Sequence, residues 1–348
     1  MILFIAAASA GTTAEIGLIA GVRGNAESTL EQPEGADIEN LEPSGTAAIV
    51  GEARKRWKSG IWVAGSGELW TYFPEPDPTL FRAVPALGGA FDLGKHGHLD
   101  VATRYSLEWV PLRADRVNGR AEATVKTGLN TGAHRLDVLA VGVSRDWFDL
   151  PQWSFRTGEA GLVWAWQPSA FRVGARATGQ YNAGWTENAA GGVDPARGEQ
   201  LRLGASAGWT GRAWDVGVEY RLYVADEGEV EDAARPQFTP VGDYDDDADA
   251  LSAGGFTQHR VGLTANGKLG EAWTVDASVL ARLRLNPPDQ PSAALTRSFH
   301  VGADLGRSLG GPWSLHGVAA LSTIELPDGE TSYDPSAWLM LRWAPKGK

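Results

Sequence analysis

The stretch 201–224, LRLGASAGWTGRAWDVGVEYRLYV, alternates apolar and polar residues through two consecutive runs, and the rest of the chain can be read from it. In the first run Leu201, Leu203, Ala205, Ala207 and Trp209 share one face, opposite Gln200, Arg202, Gly204, Ser206 and Gly208, as a period of two requires. The second run sets Trp214, Val216, Val218, Tyr220, Leu222 and Val224 against Asp215, Gly217, Glu219, Arg221 and Tyr223, after a tight turn at Thr210-Gly211-Arg212. This is a β-hairpin. Strands of a soluble sandwich are nearer six residues and aliphatic in the middle of the apolar face. Here each run has roughly ten residues with aromatics near the ends, the length and pattern of a strand that crosses a bilayer in a closed barrel.

Composition agrees. Hydrophobic residues are 43% of the 348 and the mean hydropathy is −0.22, and no stretch supplies the roughly 18 apolar residues of a membrane-spanning helix. A barrel places its apolar residues at every second position, so one face is fully apolar while the average stays low. The chain has no cysteine, which excludes disulfides, thiolate metal sites and cysteine nucleophiles and suits an oxidising compartment. Its 44 glycines and 15 tryptophans suit crowded turns and a membrane–water interface respectively. No shift of composition marks a domain boundary, so one domain is expected over residues 11–348.

The net charge of −12 is concentrated in two segments. Glu27, Glu31, Glu34, Asp37, Glu39 and Glu42 lie within 25–44 with no base among them. Ten acids and the single base Arg235 lie within 225–254. The rest of the chain is close to neutral, which makes nucleic acid an unfavourable partner.

Residues 1–10, MILFIAAASA, read as the remnant of a signal peptide, because Ala8-Ser9-Ala10 has the small-x-small form of a cleavage site. The alternative is a first strand beginning at Ile2. From Glu15 the alternation starts, with Ile16, Leu18, Ala20 and Val22 on one face. A mature chain starting near Gly11 is expected to have no N-terminal plug. Further strands are expected near 45–55, 60–72, 79–93, 99–110, 120–129, 135–145, 153–166, 171–182, the two runs of the hairpin, 256–268, 273–285, 294–305, 313–322 and 337–343. That makes about sixteen, within a range of 14–18. Two segments, 61–70 and 153–166, break phase and call for a bulge.

Links after even-numbered strands are short, whereas those after odd-numbered strands are mostly longer, more acidic and richer in proline. An all-β, up-and-down antiparallel barrel predicts this split, with short turns on one rim, long loops on the other and both termini on the short-turn side. Aromatics recur just after short turns at Phe171, Trp214, Trp273 and Trp313, as an interfacial girdle requires.

On these features the chain resembles Gram-negative outer-membrane β-barrel proteins, and in size and loop pattern it is most similar to general porins. The resemblance is one of pattern and covers nearly the whole chain. It implies an outer-membrane location, contact with membrane lipid and lipopolysaccharide, and handling by the barrel-assembly machinery during biogenesis. Such proteins commonly end on an aromatic residue, whereas here Trp343 is followed by Ala344-Pro345-Lys346-Gly347-Lys348.

If Leu201 and its equivalents face lipid, the residues in phase with Arg202 face the interior. The basic members of that set are Arg104, Lys126, Arg172, Arg176, Arg202, Arg221, Arg260, Arg282 and Arg284. Its acidic members are Asp100, Glu108, Glu122, Asp215, Glu219, Asp276 and Asp304. Sixteen strands enclose more space than side chains fill, so the expected interior is wet and offers a path to small polar solutes, with an arginine-rich wall that biases selectivity or merely pairs and solvates. The second acidic segment, with Asp226, Glu229, Asp243, Asp245, Asp247 and Asp249, is long enough to fold inward and narrow the pore. The run Asp243-Tyr244-Asp245-Asp246-Asp247 lacks the glycine and closing glutamate of an EF-hand, and no cofactor or metal is expected. Two alternatives stay open: a surface receptor, adhesin or structural barrel acting through its acidic loops, and, less favoured, an enzyme. An enzyme would need a hydroxyl beside a histidine, for which His259 and Ser298 are poor candidates.

Overall fold

The computed structural model describes residues 12–23, 44–73, 80–110, 113–148, 154–187, 193–225, 256–285, 297–325 and 331–345. They form sixteen antiparallel strands, each paired with its sequence neighbours and closed by β1 against β16. The order is β1(Thr12–Arg23), β2(Ser44–Arg56), β3(Ile61–Phe73), β4(Leu80–Leu93), β5(Gly97–Val110), β6(Arg113–Thr131), β7(His134–Trp147) and β8(Phe155–Trp166). It continues with β9(Phe171–Glu187), β10(Val193–Thr210), β11(Trp214–Ala225), β12(Phe256–Leu269), β13(Trp273–Leu285), β14(Arg297–Gly310), β15(Trp313–Glu325) and β16(Thr331–Trp343). The expected fold and strand number are those found.

Seven tight turns follow the even-numbered strands from β2 to β14. Five of them use glycines at positive φ, among them Gly132 at φ 61° and Gly270 at φ 72°, a conformation other residues adopt only at a cost. β1 starts and β16 ends on this rim. Three connections are shorter than read from sequence, one of them before the last strand, where β15 runs to Glu325 and β16 starts at Thr331 instead of 337. β6 already begins at Arg113, ahead of the expected strand 120–129, and β9 runs to Glu187 and β10 starts at Val193, between the expected strand 171–182 and the hairpin.

Directly paired residues on neighbouring antiparallel strands share a face, so the register carries the phase around the whole barrel. The outer face holds Leu18, Ile49, Leu69, Phe81, Val125, Val138, Leu162, Leu203, Val218, Leu263, Leu315 and Leu339, all exposed, a continuous apolar surface such as only lipid covers without penalty. Phe171, Trp209, Trp273 and Trp313 mark its short-turn border, and Phe73, Phe81, Trp109 and Phe148 lie towards the opposite rim. Leu203, Val216 and Val218 therefore face outward as expected, as does Val279 in register with Leu263.

The expected bulges at 61–70 and 153–166 are absent. β3 pairs without a shift with β2 and β4, and β8 does so with β7 and β9. The phase breaks because apolar residues also face inward. Ile19, Ala48, Trp70 and Leu80 are buried and lie side by side across β1 to β4, and Leu139, Val143 and Phe155 are buried on β7 and β8. The register shifts that do occur lie at Trp109/Val110 and at Ser308/Gly310.

Candidate functional site

The second face of every strand is concave, since its side chains meet across two strands at once. Arg145 on β7 reaches Glu108 on β5 at 3.4 Å, and Arg202 on β10 reaches Glu159 on β8 at 3.4 Å. Every expected interior residue lies on this face by register: Arg104, Glu108, Glu122 and Lys126 on β5 and β6, then Arg172, Arg176, Arg202, Asp215, Glu219, Arg221, Arg260, Asp276, Arg282 and Arg284 on β9 to β13.

The structure ties these charges into local groups. Glu108, 4% exposed, accepts from Arg82 at 2.7 Å and from Asn118 at 3.1 Å. Arg82 also holds Glu68 at 3.2 Å. Beside them Glu122 takes Arg104 at 2.6 Å and Arg120 at 3.6 Å. Nearer the short turns, Asp137 binds His98 at 2.8 Å and Arg135 at 2.8 Å, with Lys126 at 3.7 Å. On the other side Glu159 is held by Arg176 and Arg202, and Arg202 donates to Gln200 at 2.6 Å while lying over the Tyr223 ring. Arg172 grips Asp215 with two bonds at 2.6 and 2.8 Å, a bidentate geometry stronger than a single contact. Asp304, in register with Asp276, lies 2.9 Å from His316 Nδ1.

Two features separate the sides of the wall. Arg221, Arg260 and Arg282 lie directly across one another on β11, β12 and β13, with Arg284 one inward position further along, so arginines are gathered in this sector. The sector from β16 to β4 carries the inward apolar row, with the acids Glu15, Glu52 and Glu68 interspersed with the bases Arg54, Arg82 and Arg342. Sequence reasoning passed over Glu15, Glu52, Glu68, Arg82, Arg120, Arg135, Asp137, Arg145 and Glu159 as interior residues, although carrying the phase across each turn would have found them.

His259 and Ser298 are not brought together. His259 lies on the outer face, where the Tyr220 hydroxyl is 2.8 Å from its Nδ1, whereas Ser298 is paired with inward Arg282. Asp226, Glu229, Asp243, Asp245, Asp247 and Asp249 lie outside the described residues, as do residues 1–10.

No known protein family matches this chain, and no curated protein does. Among solved structures it is similar to a bacterial polysaccharide outer-membrane secretin, with a TM-score of 0.50 at 9% identity over 96% of this chain and 98% of that one. It is also similar to CdiB from Acinetobacter baumannii, with a TM-score of 0.55 at 7% identity over 95% of this chain and 60% of that one. At such identity the likeness is one of fold. Together with the apolar outer face and the charged inner face, it gives the chain the fold of a closed sixteen-strand transmembrane β-barrel.

Proposed function

We propose that this barrel is a channel in the outer membrane of a Gram-negative bacterium, through which small polar solutes diffuse passively. The observation that carries the reading is the inner wall, where charges of both signs line a sixteen-strand enclosure. Barrels of this strand number leave an aqueous channel, and fixed charges on such a wall set which ions enter.

The test is single-channel recording of the purified protein in planar bilayers. Stepwise conductance is the expected result, and replacement of Arg221, Arg260 and Arg282 together by glutamine should move the reversal potential in a salt gradient towards cation selectivity. A correctly folded barrel that inserts and gives no steps at any salt concentration overturns the channel reading in favour of a receptor or structural barrel.

A further inference from the structure

The lysines of this chain are unevenly placed. Of seven, three lie at one corner of the short-turn rim: Lys55 at the end of β2, Lys58 in the turn to β3 and Lys95 in the turn from β4 to β5. The turns after β6, β8, β12 and β14 contain no lysine or arginine, and the turn after β10 contains Arg212 alone. Lys58 and Lys95 are exposed, and neither has an ion-pair partner among the described residues. The acids closest to this group in sequence, Glu52 and Asp92, lie on the inward face, across from Ser66 and His98.

The corner has an apolar side that faces the membrane. Lys55 is on the outer face, across from Val63. Trp57 continues that pairing by donating its backbone N–H to the Ile61 carbonyl at 2.9 Å, which puts Trp57 and Ile61 on the outer face, 45% and 42% exposed. Leu93 joins them, outward and across from Gly97. The two turns are fixed to each other as well as internally. Gly60 donates to the Trp57 carbonyl at 3.1 Å, and its own carbonyl accepts from the Ala90 N–H of β4 at 3.2 Å.

We propose that this corner binds the headgroup of an anionic phospholipid, with its phosphodiester between Lys58 and Lys95 and its acyl chains against Trp57, Ile61 and Leu93. Turns two strands apart lie roughly 10 Å from each other, within the joint reach of two lysine stems towards one phosphate. Each ammonium brings three donors to a group that has only acceptors, and an indole beside them suits the membrane–water boundary. Short turns of such barrels face the periplasm, so the leaflet at this rim is the phospholipid one. A zwitterionic headgroup fits less well, because its ammonium meets three lysines. An acidic soluble protein would leave the outward apolar side chains unused. The inference goes beyond the channel reading and needs only that the barrel sits in a membrane.

The experiment is native mass spectrometry of the barrel released from neutral detergent micelles that hold equal amounts of dioleoyl phosphatidylglycerol and dioleoyl phosphatidylcholine. Preferential retention of phosphatidylglycerol is expected. Replacing Lys58 and Lys95 together by glutamine should lower that preference roughly twentyfold, about fivefold for each base near an anionic surface, while Arg212→Gln, elsewhere on the rim, should leave it unchanged. Circular dichroism of each variant separates loss of binding from loss of fold. Equal retention of the two lipids by the wild type, an unchanged preference in the double variant, or an equal loss with Arg212→Gln overturns the proposal. Displacement of the lipid by an equal concentration of glycerol 1-phosphate would also overturn it, by showing a site for soluble anions. Conductance plays no part in the readout, so a barrel that holds the lipid but does not conduct sinks the channel reading alone, and one that conducts without lipid preference sinks only this site.

Discussion

Replacing Val218 with arginine is expected to destabilise the barrel by about 2–4 kcal/mol, whereas the same residue at Ser206, on the neighbouring strand and opposite face, should change stability by less than ~1 kcal/mol. With a rise of ~3.3 Å per residue and a tilt of roughly 40°, a strand crosses the ~25 Å apolar band in about ten residues. On β11 that band runs from Trp214 at the short-turn border towards Val224, which puts Val218 near its middle. Val218 is 42% exposed on the outer face, so an arginine there has only hydrocarbon around its guanidinium. Ser206 is paired with Glu219 on the inner face, and an arginine there gains a carboxylate and water. Urea titration of barrels refolded into vesicles reads both costs. Equal losses at the two positions would show that the assignment of inner and outer faces is wrong.

Where both faces of a strand are chemically pure, one strand suffices to read its orientation. The hairpin of β10 and β11 is such a case, with Leu201 to Trp209 and Val216 to Val224 facing outward and arginines, glutamate and glycines facing inward. β8 is the opposite case. Phe155 and Val163 face inward and Arg156 faces outward, so the alternation blurs and an imagined bulge took its place. Strand ends were misread for a related reason: β6 and β10 extend past the apolar band, where both faces are polar and the period-two signal disappears. Ion pairs were not legible at all. Arg202 meets Glu159 two strands away, a contact set by the stagger of three strands, and no local pattern fixes stagger. The opposition of Glu15 and Glu52 is likewise a fact of register, since the long connection between β1 and β2 constrains their alignment only loosely.

Glu108→Ala is expected to cost about 3 kcal/mol, the lower end of what breaking a buried ion pair costs, while Glu219→Ala should cost under ~1 kcal/mol. Both remove an inner-wall carboxylate that holds an arginine, so the difference tests burial itself. Glu108 is 4% exposed and Arg145 beside it is equally buried at 4%. Without the carboxylate, Arg145 still donates to the Asn118 side-chain Oδ1 at 3.3 Å but loses a compensating charge in a place water scarcely reaches. Arg82 is less affected, because it keeps Glu68 at 3.2 Å, and this places the cost at the low end of the range. The Glu219 side chain is 49% exposed and its bond to Arg221 at 2.6 Å is made in contact with solvent, where hydration replaces most of what the pair supplied. Glu108→Gln should fall between the two, since an amide restores a hydrogen bond without the charge. If urea titration gave the two alanine variants the same small loss, the Glu108 cluster would have to be as wet as the open channel, and the inner wall would have no dry polar core.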